Sequence, residues 1–241
     1  MLQRISEDDG ISWSEPKDLT PFTHPEERNA FALGPGHGIT LKDGTLLVPV
    51  WMVPRHYCRE LHSHKPSVIS TFYSKDHGAT WALGEILSST DQVISPNETS
   101  AAQTADGRVY LNIRHMMGWR ARAFSDDGIS HWEGYECDFQ LPDPCCFGST
   151  TVIEDGIHPP VLLFANCADH LQRKNVTVRA GFDHGKTFPV TMVLDAERGG
   201  YVEIAADSKS SLVYVLYENN KGESVHFARF PLELLLSEQS L

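Results

Sequence analysis

One short pattern, repeated along the chain, limits what it can fold into more than any other feature. "SKDHGATW" (Ser74, Asp76, Gly78, Thr80, Trp81) matches "SEDDGISW" (Ser6, Asp8, Gly10, Ser12, Trp13) letter class for letter class. "GFDHGKTF" matches with Gly181 in place of Ser and Phe188 in place of Trp, and "SDDGISHW" (125–132) matches with the spacing slipped by one. The four aspartates, Asp8, Asp76, Asp127 and Asp183, lie 68, 51 and 56 residues apart. Self-similarity at that period marks a propeller of four-stranded blades. Locally the motif reads as a stapled turn. The short Asp side chain accepts hydrogen bonds from backbone N–H groups a few residues on. Gly supplies a positive φ, Ser or Thr adds a second side-chain bond, and the closing aromatic is expected to bury itself between blades. These are structural tasks, and no chemistry is assigned to the motif's aspartates.

A second signal alternates with the first. "ITLKDGTLLVPV" (39–50), "AAQTADGRVYLNIRH" (101–115) and "TTVIEDGIHPPVLLFAN" (150–166) each set Asp-Gly between apolar or alternating runs, a strong β-hairpin signal. "IAADSKSSLVYVLYE" (204–218) repeats it with a longer turn. A blade therefore reads as strand, hairpin turn, strand, strand, stapled turn, strand. Sustained helical periodicity is missing before residue 231, and "PLELLLSEQ" is expected to form one closing helical turn. Four hairpins mark four blades, while the staple at Asp8 has no hairpin before it. The expected fold is all-β: an incomplete propeller of about four to five four-stranded antiparallel blades, forming one partial domain over residues 1–241. On this reading the first blade and part of the second are missing, a truncation favoured over a small closed ring or a fragment completed by another chain. An open ring leaves strand edges unpaired.

Composition excludes several functions. The formal net charge of −12 argues against nucleic acid, which needs a basic surface. It does not argue against an anionic small molecule, which answers to a few local arginines. No run of 18 apolar residues spans a membrane, and "MLQRISEDDG" shows no signal peptide, so the sequence assigns no compartment. The cysteines, Cys58, Cys137, Cys145, Cys146 and Cys167, are irregularly spaced and read as buried thiols rather than a zinc or disulfide framework. "HSH" (62–64) lacks further ligands at suitable spacing and reads as a polar loop, so neither metal nor cofactor is expected.

The residues able to do chemistry lie elsewhere. Glu98 stands just before one strand of a hairpin and Arg114 near the end of the other. Arg173 sits two residues before an alternating strand, and Tyr201 follows two glycines that would bring backbone and phenol close to a ligand. The ends of innermost strands face a propeller's axis, so these side chains are candidates to converge there. Taken singly each has a plain reading as well: Glu98 with Arg114 as an exposed ion pair worth about 0–1 kcal/mol, Tyr201 as a packed aromatic.

Together, "GPGHGITLKDGTLLVPVW", "NETSAAQTADGRVYLNIRH", the Arg173 segment, "GGYVEIAAD…VLYE" and the stapled turns resemble the exo-α-sialidases of the bacterial and animal type. The resemblance runs from Ser6 to about Phe230 in the family's order. It implies a retaining glycosidase that releases terminal sialic acid. Tyr201 falls where the family has its nucleophile, and Glu98 where it has the carboxylate that takes the phenolic proton. Arg114 and Arg173 fall where it has two of three arginines gripping the substrate carboxylate, and Glu218 where an acid supports the remaining arginine. A phenol suits this substrate because a carboxylate nucleophile would meet the like charge on the anomeric carbon. The implied partner is a sialylated glycan or other small acidic sugar. The family's first arginine, in an Arg-Ile-Pro segment, and its acid/base aspartate have no counterpart here. The resemblance therefore implies weak or absent turnover and leaves Glu218 without its cation. The competing readings are a non-catalytic propeller that binds acidic glycans or a protein partner, and a two-carboxylate glycosidase using Glu98 and Glu218.

Overall fold

The computed structural model describes residues 1–57, 64–219 and 223–237. Cys58 and most of the "HSH" stretch lie outside the described residues. Apart from two short 3-10 turns (Thr20–Thr23 and Pro25–Glu27) and a closing helix α1 (Leu232–Ser237), the regular structure is all strand. None of the described helices is long and apolar enough to cross a membrane.

The strands form blades in the expected order. In the first, β3 (Arg28–Leu33) and β4 (Ile39–Thr40) both pair with β5 (Leu46–Pro54), followed by β6 (Val68–Ser74) and β7 (Ala82–Leu83). The second runs β8 (Thr99–Gln103), β9 (Val109–Arg114), β10 (Trp119–Ser125) and β11 (Glu133–Pro142). The third is β12 (Ser149–Ile153), β13 (Val161–Cys167), β14 (Lys174–Gly181) and the first half of β15 (Val190–Asp207). The second half of β15 is the inner strand of the fourth, beside β16 (Leu212–Asn219) and β17 (Ser224–Pro231). A separate ribbon of β1 (Leu2–Gln3) and β2 (Lys17–Asp18) carries the staple at Asp8.

One unbroken strand thus serves two blades. Its N-terminal half pairs with β14 and its C-terminal half with β16, and a bulge between Gly199 and Val202 marks the handover. A bulge inserts an unpaired residue and re-aims the side chains around it. Tyr201 sits inside this one.

The staples have the inferred chemistry. Asp76 Oδ1 accepts from Thr80 N–H (2.7 Å) and its Oδ2 from Thr80 Oγ1 (2.6 Å), while Ser74 Oγ accepts from Gly78 N–H (2.8 Å). Gly78 has φ +86°, a conformation that costs glycine nothing. Asp8 and Asp183 make the same pair of bonds to Ser12 and Thr187. Trp81 stacks on Phe72 at 5.0 Å and Phe188 is buried, as expected. Trp13 departs from expectation: 57% exposed, it folds back so that its indole N–H donates to Gly10 O. Among the described residues no apolar cluster includes Trp13.

Apolar clusters fill the gaps between adjacent blades. Leu47, Ile69, Leu111 and Ile113 join the first blade to the second, and Tyr110, Phe124, Leu162 and Phe164 join the second to the third. Val178, Val202, Val215 and Leu235 of α1 belong to the cluster behind the last two. Because every inner strand starts at the same end, residues just before β8, before β12 and within the β15 bulge meet around one axis.

Candidate active site

Tyr201 projects from the β15 bulge, and its hydroxyl donates to Glu98 Oε1 at 2.5 Å. Glu98 directly precedes β8. Arg114, at the end of β9, is paired to it through the backbone ladder: Arg114 N–H donates to Glu98 O. That register places both side chains on one face. Arg114 Nη1 forms a short charge-assisted bond to Glu98 Oε2 and a 3.2 Å bond to the Tyr201 hydroxyl. The Glu98 and Arg114 side chains are only 13% and 22% exposed, which removes the exposed-ion-pair reading. Arg173 approaches from another side, its guanidinium carbon 5.6 Å from the centroid of the Tyr201 ring. Its carbonyl accepts from Gly199 N–H at 2.7 Å, tying the arginine's loop to the bulge.

Glu218 has a backbone partner. Its Oε2 accepts from the Tyr201 backbone N–H at 3.0 Å, so this half-buried carboxylate is partnered. The two glycines before Tyr201 have a packing purpose. A Cβ on Gly200 would sit 2.3 Å from Glu218 Oε2, and one on Gly199 would sit 2.8 Å from Cys167 Sγ. They admit β15 to its neighbours.

Burial, then the hydrogen bond to Glu98 and the Glu98 charge, push Tyr201 up to about 12, and Arg114 opposes them only partly. A carboxylate that accepts from a phenol stabilises the neutral form. Burial alone would lower Arg114, but the Glu98 charge and bond, with Tyr201, outweigh it and hold the guanidinium above its ordinary value. The resting site is therefore a neutral phenol on an acceptor, able to release its proton to Glu98 as the oxygen attacks.

Several neighbours escaped the sequence reading. The Phe147 ring lies 5.7 Å from that of Tyr201. Phe147 leads into β12 as Glu98 leads into β8, and this equivalence of position was the signal that would have found it. Its loop is held by a buried polar network. Arg120, fully buried, donates to Cys146 O (2.7 Å) and Asp143 Oδ2 (3.3 Å), and Cys146 N–H donates to Asp143 Oδ1 (2.9 Å). His37, in "GPGHG", forms a short bond to Glu203, two residues beyond Tyr201, and a Cβ on Gly36 would meet both Glu203 and Phe147. Arg198 shares with Gln172, Arg173 and Gly199 the walls of a cavity of about 490 Å³. Three guanidinium groups thus cluster at this end of a chain whose formal charge is −12. The one metal-like group among the described residues, His24 with Glu26 and Glu27, is exposed and far along the chain from these side chains.

Fold and site define a class: a stapled-turn β-propeller with a tyrosine–glutamate pair and arginines at the axial end of its inner strands. The model of the BNR repeat-like domain matches residues 1–223. The chain is 30% identical over 247 residues to the sialidase of Micromonospora viridifaciens, covering 95% of this chain and 35% of that protein. It is 33% identical over 187 residues to mouse sialidase-2, covering 72% and 48%. The Hadza microbial sialidase Hz136 superposes with a TM-score of 0.84 at 26% identity, over 97% of this chain and 44% of that one. The chain belongs to the BNR-repeat exo-α-sialidase family, and it spans between about a third and a half of the length of these relatives.

Proposed function

We propose that this chain carries the nucleophile side of an exo-α-sialidase centre acting on sialylated glycans or other small acidic sugars. Tyr201 is the nucleophile, Glu98 the base that receives its proton, and Arg114 and Arg173 bind the substrate carboxylate. Glu218 fixes the backbone from which the phenol projects. The observation that carries this reading is the 2.5 Å bond from the Tyr201 hydroxyl to Glu98, with Arg114 on the same oxygen.

The reaction is retaining. The phenolic oxygen attacks the anomeric carbon as its proton passes to Glu98, and the glycosidic bond breaks with the aglycone leaving as its oxyanion. Water then adds to the anomeric carbon as the glycosyl–tyrosine bond breaks, Glu98 returns its proton to the phenolic oxygen, and the proton lost by the water neutralises the departed oxyanion through solvent. Attack by a neutral phenol avoids the repulsion a carboxylate nucleophile would meet, and the planar guanidinium fork matches the two carboxylate oxygens. Among the described residues no aspartate is hydrogen-bonded to Tyr201, Glu98 or Arg114. Without general acid help at the leaving oxygen, turnover of alkyl glycosides falls by about 10²–10⁴.

An activated aryl sialoside, whose leaving group needs no acid, is the direct test. Slow release of the aryl group, abolished in Tyr201→Phe, is the expected result. Release that persists in Tyr201→Phe refutes the nucleophile. A rate equal to that of a full-length relative refutes the inference of weak turnover.

A further inference from the structure

We propose that Arg198 and Gln172 form a second anion-binding subsite beside the Tyr201 site, for an acidic group on the sugar next to the one cleaved. The substrate class is then a glycan with two neighbouring anionic sugars: a terminal sialic acid on a residue that itself carries a carboxylate or a sulfate ester. The proposal rests on the sialidase reading, which assigns the first of these sugars to Arg114 and Arg173.

The cavity of about 490 Å³ lined by Gln172, Arg173, Arg198 and Gly199 falls in the size range of small-molecule pockets, about 300–1,000 Å³. Arg173 joins it to the candidate site, since its guanidinium also lies over the Tyr201 ring. Arg198 forms a different wall. It pairs with Lys174 across the β14–β15 ladder, and neighbouring residues of an extended chain point to opposite faces, so Arg198 does not share Arg173's place over the phenol. The first carboxylate has its grip in Arg114 and Arg173, and the charge on Arg198 points to a second anion.

The local charge balance carries the argument. A chain of formal charge −12 has acids to spare, and arginines elsewhere find them, Arg108 with Asp106 and Arg122 with Glu136. Among the described residues neither Arg173 nor Arg198 is ion-paired. Asp169, the acid closest in sequence to Gln172 and Arg173, is committed to its own turn. Its Oδ1 accepts from the Leu171 and Gln172 N–H groups at 2.9 and 2.8 Å, and its Oδ2 pairs with Lys174 at 3.3 Å. On the other strand, Asp195 accepts from Glu197 N–H (2.9 Å) and Asn219 Nδ2 (3.0 Å). Two guanidinium groups therefore border one cavity without a counter-ion. Like charges around a shared cavity repel, and an anion on each relieves that repulsion.

The subsite is also preorganised. Asp169 closes the turn that carries Gln172 and Arg173. His170 anchors it, its Nδ1 donating to Gly118 O at 2.9 Å and its ring packing edge-on to Trp119 at 4.2 Å. Gly199 N–H donates to Arg173 O at 2.7 Å, which ties the turn to the strand carrying Arg198. Walls fixed before binding lose little entropy when an anion arrives. The planar fork of Arg198 binds two oxygens of a carboxylate or sulfate, and the Gln172 amide can donate to another. Arg198 is exposed, so its contribution is discrimination between glycans rather than tight binding.

The test is calorimetry on the full chain at low salt with three glycans that share a terminal sialic acid. They are sialyllactose, a disialyllactose with the two acids adjacent, and a sialyllactose sulfated on the sugar next to the sialic acid. The disialyl glycan, the sulfated one or both should bind about fivefold tighter than sialyllactose, and whichever gains identifies the second anion as carboxylate or sulfate. The gain should shrink as salt is raised to about 0.5 M. It should vanish in Arg198→Gln, a substitution at the surface, with sialyllactose affinity unchanged, whereas Arg173→Gln should weaken all three. Equal affinity for the three glycans overturns the subsite, as does a gain that survives in Arg198→Gln. If Arg198→Gln weakens all three alike, Arg198 belongs to the grip on the terminal carboxylate and the proposal falls. In each of these cases sialyllactose still binds and the sialidase reading stands; a chain that binds none of the three overturns both.

Discussion

Glu98→Gln separates two ways in which Tyr201 can be activated. If Glu98 keeps the phenol ionised at rest, removing its charge should raise the phenol's pKa. The structure implies the reverse. Tyr201 lies at about 12 because of burial, the bond to Glu98 and the Glu98 charge, against about 10 for a free phenol. That displacement is worth about 3 kcal/mol in favour of the neutral form. Burial, the largest cause, survives the substitution. The carboxylate's charge does not, and Arg114, which opposes the rise, no longer has its ionic partner. The expected outcome is a return of roughly 1–2 kcal/mol, moving the phenol from about 12 part of the way back toward about 10. Alkaline ultraviolet difference titration reads this directly, with Tyr201→Phe identifying which of the seven tyrosines has moved. Turnover with the aryl sialoside should meanwhile fall about 10²–10⁴-fold, since the proton acceptor is gone. A more acidic phenol in a slower enzyme is the signature of a base that acts during attack. A Tyr201 pKa that rises or stays fixed in Glu98→Gln would refute this account of the site.

Three further outcomes follow from the geometry. Gly200→Ala forces a methyl group onto Glu218, which must leave the Tyr201 N–H; urea unfolding should show a loss of about 1–3 kcal/mol together with loss of aryl sialoside release. Arg120→Met strands the buried Asp143 carboxylate, and the cost in the same assay should be about 3–5 kcal/mol, whereas Arg108→Met, on the more exposed pair with Asp106, should cost less. Asp76, held down to about 2 by the Thr80 hydroxyl and N–H and by Ser74, stabilises the fold above the unfolded carboxylate's value of about 4, and that contribution is lost as pH falls toward about 2. Acid unfolding followed by circular dichroism should therefore be less steep between those values in Asp76→Asn, and an unchanged curve would remove the staple from the stability account.

How much of this was legible depended on the range of the interactions involved. The staples and hairpins are local, closed within five residues by Asp side chains and glycines, so their letters name them wherever they occur. Blade order followed, because a propeller only concatenates these units. Trp13 was misjudged because burial of the closing aromatic depends on a neighbouring blade face that the motif does not encode. The continuity of β15 was hidden because "ERGGY" looks like a break, whereas its glycines are required by Glu218 and Cys167 across the sheet. The direction of the Tyr201 shift is hidden from the sequence for a similar reason. A base and two arginines were visible, but burial, the largest cause, and the Glu98 oxygen that accepts the phenol's proton are properties of the assembled site.

The convergence itself has a simple geometric origin. Glu98, Phe147 and Tyr201 come from three successive blades and are separated by 49 and 54 residues, close to the spacing of the staples that join the strands behind them. The repeat that holds the blades together also sets where each blade delivers the first residue of its inner strand. Arg114 reaches the same point from the far end of the neighbouring strand because a hairpin returns to the end from which it started. Tyr201 gains its reach from the one irregularity, the bulge between Gly199 and Val202, whose geometry depends on glycine on both sides of a close contact. Chemistry at this axis therefore requires only that each repeat keep its length and that one blade break register, which is why residues more than 100 positions apart can meet as a single hydrogen-bonded group.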